Sequence, residues 1–213
     1  MEKEKIDHVI KILEETYSDA KCALDFKSPY ELMVSTILSA QCTDERVNKV
    51  CGELYKKYNT PYKMVELTVP QLTEKIKSCG LSNNKSKNIL GASRMLIENF
   101  HGEVPSSMEE LTSLPGVGIK TANVVLSNAF NVPAIAVDTH VFRVSKRIGL
   151  SSGKNVEIVE EDLMKIIPKD KWSHMHHCLI WHGRKICKAR KPLCDECPIK
   201  GFCIYFEEEN NNK

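Results

Sequence analysis

The sequence predicts an all-α protein. Strand-like alternation is nearly absent, and apolar residues recur at three- and four-residue spacing along most of the 213 positions. The breaks between such stretches are short and carry Gly or Pro. Ile6, Val9, Ile10, Leu13 and Tyr17 form one face of an opening amphipathic helix. After Ser28-Pro29 the stretch YELMVSTILSAQ is apolar nearly all round, and its first-turn proline marks a buried helix. Further helical patterns cover 44–57, 61–66, 70–78, 84–99, 107–113, 119–129, 138–148, 154–166 and 171–186, while the final EEENNNK is expected to fray.

With 42% hydrophobic and 27% charged residues, the chain can build one large domain or two small ones. No apolar run reaches membrane-spanning length, and MEKEKIDHVIKILEE is charged and periodic where a signal peptide is uniformly apolar. An intracellular protein, cytoplasmic or at the nucleoid and without a membrane partner, is the expectation. Net charge is only +2, so affinity for a polyanion must come from where the charges sit. Of nine cysteines, Cys22, Cys42, Cys51, Cys79 and Cys178 are scattered and read as small buried hydrophobes. Cys187, Cys194, Cys197 and Cys203 fall within seventeen residues, which in a reducing compartment points to metal ligation.

The segment LPGVGIKTA at 114–122 looks at first like a nucleotide loop. A triphosphate cradle needs G-x-x-x-x-G-K-[ST] after a strand, but Ile119 precedes Lys120, Leu114 stands at the first glycine position, and no strand precedes. What remains is helix, tight Pro-Gly-Val-Gly turn, helix. Gly116 and Gly118 permit positive φ and close approach, and the amides that open the second helix suit a single phosphate of a nucleic acid strand. A plain helix-helix corner is the alternative.

LPGVGIKTANVV resembles the helix-hairpin-helix element of DNA repair glycosylases, and AIAVDTHVFRVSKRIGL at 134–150 resembles the V-D-T-H-V-x-R-V block of the same superfamily. With LSAQCTD at 38–44 and the C-terminal cysteines, the likeness spans essentially the whole chain and is closest to the endonuclease III family. It implies a two-lobed helix-hairpin-helix DNA glycosylase fold with a C-terminal iron-sulfur cluster loop. One lobe would be a helical barrel over 22–132; the other would join 1–21 to 133–213. Double-stranded DNA carrying damaged bases or abasic sites would lie across the cleft, with Lys120 and Asp138 at its mouth, and the protein would act as a monomer. Oxidised pyrimidines are the lesions the family implies.

Read from the residues alone, Lys120 is either a phosphate contact or an amine nucleophile. The positive end of the helix dipole disfavours its ammonium. Lowering a pKa of about 10.4 by roughly two to three units through burial and dipole would raise the free-amine fraction by a similar number of decades. Asp138, before THVFRVSKRIG, reads as an N-cap whose ionised carboxylate is also free to stabilise a developing cation or accept a proton. The resemblance makes Lys120 and Asp138 the catalytic pair of a bifunctional glycosylase and AP lyase. A monofunctional glycosylase, or a metal-stabilised DNA-binding module without activity, is the alternative.

Cys187-x6-Cys194-x2-Cys197-x5-Cys203 holds only one C-x2-C, unlike a zinc ribbon, and does not fit the ferredoxin run. The residues say four-cysteine metal site; the resemblance implies a [4Fe-4S] cluster. His176 and His177 read as core or surface rather than ligands. Residues 181–200 contain six Lys or Arg against Asp195 and Glu196, so Lys188, Arg190 and Lys191 are expected to meet DNA phosphates, with a solvated charge run as the alternative. By the same resemblance Gln41 would fill the space left by an extruded base and Leu81 would wedge the stack, although a lone leucine otherwise reads as core. Gly116, Val117 and Gly118 complete the expected DNA contacts.

Overall fold

The structure is a computed structural model that describes residues 2–211. Among the described residues there are helices and turns but no strands. In order they are α1 (Lys3–Thr16), α2 (Pro29–Ser39), α3 (Asp44–Leu54), α4 (Pro61–Met64), α5 (Val69–Ile76) and α6 (Ser82–Phe100). Then come α7 (Met108–Ser113), α8 (Ile119–Ala129), α9 (Thr139–Ile148), α10 (Val156–Ile166), α11 (Trp172–Lys185) and α12 (Ile204–Asn211). Helix starts follow local chemistry. Ser28, Thr43, Thr60, Thr68, Ser107 and Asn155 each accept the amide three residues on, satisfying a first-turn donor. None of the described helices is long and apolar enough to cross a membrane.

The chain divides into two compact units, Cys22–Val132 and the pair Met1–Lys21 with Pro133–Lys213. In Cys22–Val132 the core is built around α2, where Tyr30 through Leu38 are all buried. Leu32, Met33, Leu72, Ile76, Ile89, Leu90, Leu96 and Leu111 pack there with no exposure. Hydroxyls that enter this core find partners, as at Tyr30 with Ser93 (2.6 Å) and Ser35 with Tyr55 (2.7 Å).

In the other unit α11 packs on α1 and α9, and Val9, Leu13, Ile135, Val141, Val144, Leu163 and Met175 form the core. Gly183 permits the close α9–α11 approach: a Cβ there would lie 3.0 Å from Val144 Cγ2 and 3.1 Å from His140 Cβ.

Two expectations change. Residues 204–211 are helical rather than frayed, and Asn212 and Lys213 lie outside the described residues. Ile204, Tyr205 and Phe206 are consecutive, so no helical period announces α12; the Tyr205 ring, 4.6 Å from the Arg147 guanidinium, anchors it. Cys51, Cys79 and Cys178 are buried as expected, but Cys22 and Cys42 are only half-buried.

Candidate functional site

Within Cys22–Val132, α7 and α8 are joined by the turn Leu114–Gly118. Leu114 and Val117 are buried, and the N–H of Val117 donates to the Leu114 carbonyl at 3.1 Å. Gly116 sits at φ +80°, and a Cβ would come within 2.7 Å of Asn88 Cβ, so both conformation and space require glycine. Gly116 and Gly118 face solvent, and Gly118 caps α8 without a side chain, leaving the helix-opening amides free of a side-chain acceptor. Val117 was expected beside them as a DNA contact; its side chain and N–H are instead committed to the turn. Lys120, second residue of α8, is exposed. The burial expected at its amine is absent from the protein's own packing, so desolvation has to arrive with a ligand.

Two loops of the same unit present the residues read as plug and wedge. Gln41 follows α2 at φ 55° and is exposed. Leu81 opens α6 at φ 48° with 56% of its surface exposed, so it is not a core leucine. Neither residue is glycine, and both hold the left-handed conformation.

In the second unit Asp138 caps α9. One carboxylate oxygen accepts the amides of His140 and Val141, each at 2.8 Å, in a half-buried setting. Burial pushes the His140 pKa down, against the pull of the Asp138 carboxylate.

The four clustered cysteines line one cavity together with Ile148, His182, Ile186 and Tyr205. Among the described residues no three Cys, His, Asp or Glu converge tightly enough for a single metal ion. Four sulfurs spread around one cavity suit a larger, polynuclear group, and an all-thiolate donor set is the one iron-sulfur clusters take. Burial pushes the Cys197 thiol up to about 11, so a metal taking this sulfur as a ligand would have to displace a proton.

Residues that the sequence did not single out hold this loop. Arg147 donates to the Lys188 carbonyl (2.7 Å) and the Ala189 carbonyl (3.1 Å), and its Nη1 lies 3.6 Å from Cys187 Sγ. Arg143 donates from Nε (3.2 Å) and Nη2 (3.1 Å) to the Cys187 carbonyl. Their spacing of four on α9 is the one signal that could have paired them. Lys188, Arg190 and Lys191 are thereby turned to solvent. His176 and His177 are buried, with ring centroids 3.9 Å apart.

Residues 34–169 match the HhH-GPD superfamily of base excision DNA repair proteins, and residues 187–203 match the iron-sulfur binding domain of endonuclease III. Endonuclease III of Escherichia coli strain K12 is 48% identical over 208 residues, covering 98% of this chain and 99% of that protein. Endonuclease III of Bacillus subtilis strain 168 is 48% identical over 200 residues, covering 93% and 91%. Among solved structures, a trapped endonuclease III–DNA covalent intermediate superposes with a TM-score of 0.95 at 46% identity over 99% of both chains.

Proposed function

The chain belongs to the endonuclease III family and is a DNA glycosylase and AP lyase of base excision repair with an iron-sulfur cluster; from that premise we propose which residues do the work and on what. The substrates are oxidised pyrimidines in duplex DNA, and abasic sites, and the protein acts as a monomer. The unit Cys22–Val132 is the helical barrel domain that carries the hairpin, and the other unit carries the cluster. The single observation behind the nucleophile is Lys120, exposed on the first turn of α8 directly after a turn open to a phosphate.

The reaction begins with extrusion of the damaged nucleotide, because its glycosidic carbon is out of reach inside the stack. The hairpin amides hold a backbone phosphate, Gln41 fills the vacated space and Leu81 separates the neighbouring bases. The Lys120 amine attacks C1′ of the sugar and the base departs with the glycosidic electron pair. The Asp138 carboxylate, fixed by its two amides, stabilises the cationic character that grows on the sugar. The amine then loses a proton and the C1′–O4′ bond opens, leaving a 4′-hydroxyl and the Lys120 nitrogen joined to C1′ as a Schiff base; the imine acidifies the 2′ proton, and its loss expels the 3′ phosphate by β-elimination. Water then releases the lysine.

Cys187, Cys194, Cys197 and Cys203 would hold the [4Fe-4S] cluster as thiolates. When bound, it cross-links the four ligands and fixes the shape of the Cys187–Cys194 loop, which presents Lys188, Arg190 and Lys191 to phosphates.

A panel of duplexes, each with one lesion and an undamaged control, tests this reading. Nicking of a thymine-glycol strand together with borohydride trapping on abasic DNA is expected, and Lys120→Gln is expected to abolish trapping. Base release without nicking would point to a monofunctional enzyme. Undiminished trapping by Lys120→Gln would overturn the nucleophile assignment.

A further inference from the structure

We infer that Lys85 is a positioning residue that ties the loop bearing Gln41 to the loop bearing Leu81, and so sets the spacing of the two side chains that enter the duplex. The inference rests on the reading of Gln41 and Leu81 given above.

Lys85 lies in the first turns of α6 and is 4% exposed. Its Nζ donates to the carbonyls of Leu38 (2.8 Å), Ala40 (2.6 Å) and Cys79 (2.8 Å). An ammonium has three N–H donors and no acceptor, so every hydrogen is used. Leu38 and Ala40 stand at the C-terminal end of α2, where carbonyls lack intrahelical partners and the dipole favours a cation. Cys79 ends the 3-10 turn before Gly80 and Leu81. One side chain therefore joins segments some forty residues apart in the chain and satisfies carbonyls of both.

The bonded groups lie where the backbone is strained. Ala40 immediately precedes Gln41 (φ 55°), and Cys79 is two residues before Leu81 (φ 48°). A left-handed conformation is unfavourable for a non-glycine residue and persists only where its surroundings over-determine it. Lys85 supplies that constraint to both loops at once. Burial lowers its pKa while the adjoining Cys42 and Cys79 thiols oppose the shift, and the three carbonyl acceptors favour the charged form. A lysine that served the core alone would be replaced at little cost by an apolar side chain; this one is held by loop carbonyls. Holding the two loops in register before DNA arrives removes an ordering cost from the flipping step and leaves the chemistry at Lys120 untouched.

The test uses the full-length holoprotein and a duplex with 2-aminopurine next to a thymine glycol, where opening of the stack raises fluorescence. Lys85→Met is expected to lose that rise and to slow single-turnover excision from duplex by about 10- to 100-fold. Borohydride trapping on a single-stranded abasic oligonucleotide, which needs no opening, is expected to stay at the parental level. Gln41→Ala and Leu81→Ala should reproduce the duplex defect and add little when combined with Lys85→Met. Parental fluorescence and excision in Lys85→Met, with both losses present in Gln41→Ala and Leu81→Ala, overturns the tether alone. Loss of single-strand trapping in parallel with duplex excision overturns it as well, since the defect is then general. Parental fluorescence in Gln41→Ala and Leu81→Ala overturns the reading of the inserting pair and the tether with it. Should Lys85→Met not fold, Lys85→Gln, which keeps two donors on a shorter arm, carries the same comparison: a duplex-only defect supports the tether and parental behaviour overturns it.

Discussion

The hydroxyl of Tyr17 lies 2.9 Å from Nδ1 of His182, whose Nε2 is 3.7 Å from the sulfur of Cys197. Burial pushes the His182 pKa down to about 4, so near neutrality the ring carries one proton. The Tyr17 hydroxyl and the Cys197 sulfur thus each face one of the two ring nitrogens, one of which donates and the other accepts. The residue that ends the first helix reaches Cys197, one of the four clustered cysteines, through one histidine. Tyr17→Phe would leave the buried Nδ1 without this partner, and folding stability is expected to fall by about 1–3 kcal/mol in denaturant titration of the holoprotein. A variant that unfolds at the parental midpoint would mean that the hydrogen bond contributes nothing.

The basic loop gives a second prediction. Lys188, Arg190 and Lys191 are exposed, and Arg143 and Arg147 grip the carbonyls at its start. If each basic side chain meets a phosphate, each alanine substitution should weaken binding of undamaged duplex and shallow the plot of log affinity against log salt by about one. Arg147→Met should show the same loss although two of its donors are already bonded to carbonyls, because it shapes the loop. Salt slopes that stay parallel to the parent across all four variants would remove the loop from the DNA-binding surface.

Asp138 caps α9, and two substitutions separate that role from the chemical one proposed for it. Asparagine keeps an oxygen for the amides of His140 and Val141, so Asp138→Asn should hold stability close to the parent, while Asp138→Ala should cost about 1 kcal/mol. Both lose the negative charge, and both should lower single-turnover excision by about two orders of magnitude or more. An active Asp138→Asn would show that only the cap matters.

The parts of the site with a local rule were legible in the sequence. The Pro-Gly-Val-Gly break fixed the start of α8, and its predicted span of 119–129 is the span observed. Asp138 was legible as a cap because capping depends on neighbours in sequence. Lys85 was not, since a lysine in SNNKSKN has the pattern of a solvated face and its three acceptors come from residues distant in sequence. His182 and Arg147 were missed for the same reason: nothing beside them in sequence says that they meet Cys197 or the loop carbonyls. Leu81 was ambiguous because exposure of a lone leucine is decided by tertiary packing.

Acid should weaken the protein through His177. This side chain is buried, and burial first, then His174 and Arg184, push its pKa from 6.5 down to about 4. Between those two values the unfolded chain holds a proton that the folded one refuses, so stability falls as pH drops through the window and is fully present above 6.5. The full effect is about 3 kcal/mol, a large share of the stability of a domain of this size. Unfolding midpoints measured from pH 8 to pH 4 should therefore decline, and His177→Gln should make the decline shallower, the buried His182 keeping its own share, even if the variant's midpoint at pH 8 is lower. An acid limb as steep in the variant as in the parent would place the sensitivity at another group.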